Sequence, residues 1–330
     1  MKITNKHPRS MSGFSMIELM IAMTLGLILT SAILQTFVGL KETYEFQEEF
    51  SRIQENGRFG IEFLTRDIRE ADFWGCNGDG LGKVRNHLNA TSDAVFSFTD
   101  GVNGTNGTLH GSNRAEDLPD TLVLRGGTGS GINVVDVPAL PAASLKISDN
   151  SGLKEDDVIL VSDCSHGEIF QVTNNPNVGA NANEDNLIHG TGAVSEGPGN
   201  ATQNFQKIYG TDAEVFKAQS LTYSIGATTR GVSVLLRNGV ELVEGIENLQ
   251  VLFGEDTNDD QSPDYYVTAD QVTDMDQVIS IQVSILISSL RDNLTDTNQL
   301  VDYNSGVLDS SDRRIRKVFS TRVALRNRLN

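Results

Sequence analysis

From Phe14 to Leu40 the chain carries a single charge, Glu18, in a stretch otherwise built of apolar, small or uncharged residues. The stretch exceeds the roughly 20 helical residues needed to cross a bilayer. A helix apolar on every side cannot lie on the surface of a soluble domain, so it belongs in lipid or among other such helices. A basic leader, Met1 to Gly13 with Lys2, Lys6 and Arg9, precedes it. Positive charge ahead of an apolar span places the N-terminus in the cytoplasm and the bulk of the chain across the inner membrane. An ordinary secretory signal has its small-residue cleavage site after the apolar region. Here the small residue at the charge-to-apolar boundary is Gly13, before it. Cutting there would leave the apolar segment on the mature chain, with a new N-terminus at Phe14.

No proline interrupts the chain from Phe14 to Asp72. Apolar or small residues recur at Phe46, Phe50, Ile53, Gly57, Ile61, Leu64, Ile68 and Ala71, at spacings of three and four. This is a helix stripe. The pattern predicts one helix of about 59 residues, roughly 90 Å long at 1.5 Å per residue. Its second part, with one apolar face, should pack on a globular domain. The expected organisation is a leader (1–13), a membrane-spanning or filament-core helix (14–40), an amphipathic extension (41–74) and a β-rich head (75–330). The fold class is α+β.

Gly13-Phe14-Ser15-Met16-Ile17-Glu18 resembles the class III signal of type IV prepilins and type II secretion pseudopilins, as against an ordinary anchor with a chance glutamate. The resemblance implies that a prepilin peptidase cuts between Gly13 and Phe14 and N-methylates Phe14. It also implies a docking role for Glu18. A charge in an apolar segment is costly unless paired, and Glu18 would neutralise the Phe14 amine of a neighbouring subunit, setting axial register. The helix-kinking proline of many major pilins is missing. Further patches resemble the PilW-type minor pilins: Gln54 to Phe59, Asp67 to Ala71, Gly75-Cys76, Ser162 to Cys164, Val251 to Gly254 and Ser320 to Asn327. That family implies a pilin-like fold, a long N-terminal helix on a β-rich head, and no catalysis. It implies work with other minor pilins and the major pilin on an inner-membrane assembly platform, then a place at or near the tip supporting a tip adhesin. The alternative is a J-type pseudopilin of type II secretion, with the same helix and a similar head.

The formal charge of −18 repels phosphates, so a nucleic-acid partner is disfavoured. Arg313, Arg314, Arg316, Lys317, Arg322, Arg326 and Arg328 are the basic exception, and their alternation with apolar residues reads as a solvated strand face paired with acidic neighbours. Cys76 and Cys164 are the two cysteines. In an oxidising compartment such a pair is most simply a disulfide, and closing a loop of about 88 residues would stabilise by on the order of 4–5 kcal/mol. Two free thiols, or a Cys164 nucleophile with His166, are the alternatives.

Strands are predicted at Ala94 to Phe98, Thr121 to Arg125, Leu145 to Ile147, Val158 to Ser162, Glu168 to Thr173, Ala213 to Ile225, Val232 to Arg237, Val240 to Phe253, Val278 to Leu290 and Arg316 to Leu325. Asn238-Gly239 is a two-residue hairpin signal; Glu244 to Leu252 is also compatible with helix. The helix is expected to end at Gly75, Gly78, Gly80 and Gly82. Residues 75–130 and 174–204 read as loops, and Gly126 to Gly131 as a flexible turn lacking the lysine of a phosphate loop. Asp256, Asn258, Asp260, Ser262 and Asp264 place oxygens at every other residue, as in a calcium loop. Gln261 at the sixth position and Val267 at the twelfth depart from it, so a calcium-stabilised turn and a solvated acidic turn both stand. No cofactor is otherwise suggested; His7, His87, His110, His166 and His189 show no zinc spacing.

Overall fold

The computed structural model describes residues 13–76, 84–90, 94–107, 114–141, 144–176, 184–191 and 194–329. Most of the leader, His7, His110, Gly78, Gly80 and Gly82 lie outside the described residues. The chain divides into Met1–Ser51 and Arg52–Asn330. A single helix, α1 (Met16–Glu70), contributes to both.

In the first unit the large apolar side chains from Phe14 to Leu40 are exposed, and the helix is long and apolar enough to cross a membrane. Its threonine hydroxyls are satisfied internally. The hydroxyls of Thr24, Thr30, Thr36 and Thr43 donate to the carbonyls of Met20, Gly26, Ala32 and Gly39 at 3.1, 2.8, 3.0 and 2.8 Å. Such back-bonding to the preceding turn lets a hydroxyl sit in an apolar helix without needing water.

The second unit is β-rich. In chain order its strands are β1 (Val84–Asn86), β2 (Val102–Thr105), β3 (Thr121–Asn133), β4 (Leu145–Ser148), β5 (Val158–Ser162), β6 (Gly167–Gln171), β7 (Glu184–Leu187) and β8 (Glu214–Ala227). There follow β9 (Ser233–Arg237), β10 (Val240–Glu244), β11 (Ile246–Glu255), β12 (Tyr265–Val267), β13 (Val278–Ser288), β14 (Leu300–Tyr303), β15 (Gly306–Asp309) and β16 (Arg316–Ala324). The larger sheet runs β1-β6-β5-β8-β3-β2, with the β9–β10 hairpin joined to β8; the second runs β12-β11-β13-β16. β4–β7 and β14–β15 form separate pairs.

Period-two alternation decides the core. In β5 and β6, Ile159, Val161 and Phe170 join one buried cluster with Leu145, Leu187 and Tyr209. Leu160 and Ile169 point the other way, into a cluster with Trp74, Phe98 and Phe216. Both strands are buried on both faces, and β5 accordingly reads as a continuous apolar run.

Most predicted strands are present, and Asn238 (φ 52°) and Gly239 (φ 75°) make the expected hairpin turn between β9 and β10. Five expectations change. Ala94–Phe96 is a 3-10 turn, not a strand. Val240 to Phe253 is two strands broken at Gly245, whose φ of 88° favours glycine. The helix ends at Glu70, before any glycine, and Asp72 takes the left-handed φ of 60°. The loop regions hold β1, β2, part of β3 and β7. Finally, Gly126 to Gly131 lies inside β3, paired with β8 at Gly126–Gln219 and Gly127–Ala218. Gly126 and Gly127 allow a close approach: a Cβ on Gly126 would sit 2.9 Å from the Phe73 nitrogen, and Gly127 donates its N–H to the Phe73 carbonyl at 2.6 Å.

Candidate assembly site

The start of α1 is a reciprocal cap. The Glu18 N–H donates to Ser15 Oγ at 3.2 Å, and the Ser15 N–H donates to Glu18 Oε2 at 2.9 Å. Ser15-Met16-Ile17-Glu18 is thus a capping box, with the glutamate at the third helical position. The carboxylate also lies where the helix dipole favours negative charge. The S-x-x-E spacing of this cap is visible in the sequence itself. Phe14 is 88% exposed beside this cap.

Within the second unit, the Arg52–Glu70 part of α1 lies on both sheets. Ile53, Leu64 and Ile68 are buried as the stripe predicted, whereas Ile61 is only half-buried. Gly57 meets the Phe319 ring, which would stand 2.2 Å from an added Cβ. Gly60 likewise admits the Ile246 and Ile285 side chains at 2.9 and 3.1 Å. Asp67, 3% exposed, sits on this apolar face and is the residue that periodicity missed. It accepts from the Tyr223 hydroxyl at 2.6 Å and pairs with Arg237 at 2.8 Å and Arg66 at 3.1 Å. Burial, and next the bond to Asp67, push the Tyr223 phenol well above its ordinary range, so it stays a donor. The clue available was a carboxylate three residues after Leu64, inside the stripe. After the helix, Asp72 accepts from Trp74 Nε1 at 2.6 Å and from Arg328 at 2.5 Å, and Asn327 donates to the Ala71 carbonyl at 2.8 Å. The chain's last described turn is thereby tied to the helix end.

Cys76 and Cys164 are disulfide-bonded with Cα atoms 4.7 Å apart. The alternatives of free thiols and of a Cys164 nucleophile fall with that bond. His166 instead contacts Ser165. Next to the bridge, Asp163 accepts from the Ser165 N–H (2.8 Å), the Ser165 hydroxyl (2.7 Å), the His166 N–H (2.9 Å) and Lys207. Burial works to raise its pKa, but Lys207 and the three hydrogen bonds outweigh it and hold the carboxyl well below the usual range.

The acidic loop lies between β11 and β12, flanked by strands. Asp256 Oδ2 accepts from the Gln261 N–H at 2.7 Å, and its Oδ1 from Asn258 and Asp260 at 3.3 and 3.2 Å. Asp260 Oδ1 accepts from the Ser262 N–H at 2.9 Å. Asp264 Oδ2 accepts from the Thr257 hydroxyl and N–H at 2.6 and 2.9 Å, which lowers its pKa. Among the described residues, no three His, Cys, Asp or Glu side chains are grouped to hold a metal ion. His87 is buried against Glu168.

The basic C-terminal residues largely pair with neighbours. Arg316 bonds Glu247 at 2.7 Å and Asp312 at 2.5 Å, Arg314 lies 3.5 Å from Asp312, and Arg322 donates to Gln282 at 2.7 Å.

One helix, apolar all round in its first part and built into a β-rich α+β unit in its last, defines a pilin-like fold. Residues 8–34 match the prokaryotic N-terminal methylation motif, and residues 222–327 match type IV pilus-assembly protein W. These two matches support a type IV pilin-like minor pilin. No curated protein and no solved structure matches it.

Proposed function

We propose that this minor pilin primes type IV pilus assembly and rides at or near the pilus tip, where it supports display of a tip adhesin. The observation that carries the reading is the coincidence of the methylation-motif match with Gly13, Phe14 and the Ser15–Glu18 cap at the head of an apolar helix. Prepilin peptidase cuts between Gly13 and Phe14 and methylates the new amine. Before assembly the helix anchors the chain in the inner membrane with the head in the periplasm. Afterwards the chain is part of a surface filament, held by other minor pilins, the major pilin and the assembly platform.

Glu18 then has two successive partners. In the single chain it caps its own helix through the Ser15 N–H. In the filament its carboxylate neutralises the Phe14 amine of an adjacent subunit, an exchange favoured because an unpaired charge is costly in an apolar surround. Catalysis has no place in this reading. Calcium is the ion the Asp256, Asn258, Asp260, Ser262 and Asp264 spacing would suit, and it is not required for the role.

Mass spectrometry of the mature N-terminus, combined with pull-down of membrane partners, tests the proposal. Methylated Phe14 and co-purified minor pilins are expected. An intact leader, or secretion pseudopilins as partners, would replace the pilus reading with an ordinary anchor or a type II secretion subunit. Glu18→Ala should lower pilus number and partner recovery; unchanged values for both would remove its docking role.

A further inference from the structure

β16 pairs with β13 on one side and is the outer strand of its sheet. The register from Ser280–Ala324 to Ser288–Arg316 has no bulge, so main-chain direction alternates strictly along it. At both ends the odd-numbered positions face β13: Ile315 accepts from the Ser289 N–H, and Leu325 donates to Ile279. Arg316 correspondingly turns outward, donating its N–H to Gln299 Oε1 at 2.7 Å. Val318, Ser320 and Arg322 therefore also present their N–H and C=O groups outward, with no strand beyond them among the described residues.

Beside this edge a groove of about 630 Å³ runs between β16 and the last turns of α1, floored by Phe319 and Ile61. Arg58, Arg69 and Arg326 reach it from the helix and from the turn after β16. All three are exposed, and none has a hydrogen bond or ion pair among the described residues. Arg66 is engaged with Asp67, and Glu62 and Glu70 line the same groove, so its balance remains positive. On a chain of formal charge −18 a groove whose guanidinium groups outnumber its carboxylates is an exception to the surrounding field. An open edge alone would invite any strand. Basic side chains around it repel basic partners and admit an acidic one.

We propose that this groove is the docking site for an extended acidic segment of a different pilus subunit. The segment adds to the β12-β11-β13-β16 sheet alongside Val318 to Arg322, its main chain satisfying the outward groups. Its carboxylates pair with Arg58, Arg69 and Arg326, and an apolar side chain between them rests on Phe319. The partner's identity as a pilus subunit rests on the function proposed above; the groove chemistry does not.

Full-length protein in detergent, with a fluorescent blocked peptide alternating glutamate and valine, provides the test. The peptide should bind, and a lysine–valine peptide should not. Arg58→Glu and Arg326→Glu should each weaken capture by about tenfold, with the loss shrinking in high salt. Amide exchange should slow at Val318, Ser320 and Arg322 on binding. Equal binding of both peptides, capture unmoved by both reversals, or protection elsewhere would overturn the proposal. Displacement of the peptide by phosphatidylglycerol vesicles but not phosphatidylcholine vesicles would also overturn it, giving the arginines to a membrane surface. So would a homodimer broken by Arg58→Glu, which makes the occupant a second copy. The measurement needs no pilus, so it can fail while N-terminal methylation and partner recovery hold, and it can succeed if they do not.

Discussion

The Tyr223 hydroxyl donates to Asp67 across 2.6 Å, joining the buried face of α1 to the long strand β8. Arg237, at the end of β9, adds its charge from 2.8 Å. A carboxylate buried in an apolar helix face is tolerated only because both partners are supplied by a sheet more than a hundred residues away. Asp67→Ala should cost about 3–5 kcal/mol, because it strands the Tyr223 hydroxyl and the Arg237 charge. Asp67→Asn keeps an acceptor and should cost less. Urea unfolding of both variants checks the order; equal, small losses would show that the network is dispensable.

Gly57 is the point where α1 and β16 touch. An added Cβ would lie 2.2 Å from the Phe319 ring, and the ring is wedged between helix and strand. Gly57→Ala should therefore destabilise, by roughly 1–3 kcal/mol of overpacking, although alanine is the better helix former. Pairing it with Phe319→Leu should recover part of the loss in a thermal melt. A stabilised Gly57→Ala would show that the ring moves aside freely.

The disulfide closes a sequence separation of 88 residues. Cys76→Ser, Cys164→Ser or reduction should lower stability by about 4 kcal/mol, within the range expected for such a loop. The two serine variants should behave alike, and neither should respond to added reductant. A reductant-sensitive variant would point to an intermolecular disulfide through the remaining cysteine.

Asp163 makes stability depend on acidity. Its folded carboxyl titrates below the unfolded one, so the contribution is complete above the unfolded value near pH 4 and is lost as pH falls toward the folded value. Asp163→Asn should cost about 1–3 kcal/mol at neutral pH and progressively less in acid. Lys207→Met should shift the acid transition upward in pH, since it removes the positive partner. Denaturant midpoints across pH 2–7 test both; parallel curves for wild type and Asp163→Asn would contradict the assignment.

In the acidic loop between β11 and β12, Asp256 and Asp264 already accept from the loop's own N–H groups and from the Thr257 hydroxyl. Millimolar calcium is expected to leave the melting midpoint in place. A native-state ligand must raise that midpoint, and a rise abolished by Asp260→Ala would install the alternate-residue oxygens as ligands.

The helix was legible because its evidence is local. Freedom from proline, a three-and-four stripe and an all-apolar first part depend only on residues within one turn of each other. The Gly13–Glu18 motif is equally local, and the S-x-x-E cap inside it could have been read from spacing. Strands such as Val158–Ser162 were legible for the same reason, since β-branched runs state their own preference. Gly126 to Gly131 was not: glycine gives no local signal for strand, and what holds it there is the backbone of Phe73 passing at hydrogen-bond distance.

The sequence by itself determined a membrane-length apolar helix headed by a prepilin-like motif, an amphipathic continuation and a β-rich remainder. Only the tertiary structure decided that Cys76 bonds Cys164, that Asp67 is buried against Tyr223 and Arg237, and that β16 ends its sheet with an open edge beside Arg58, Arg69 and Arg326. The physical reason is the range of the forces concerned. Hydrophobic periodicity and capping act over a single turn, whereas a bridge, a buried ion pair and a sheet edge depend on which distant segments the packed chain sets side by side.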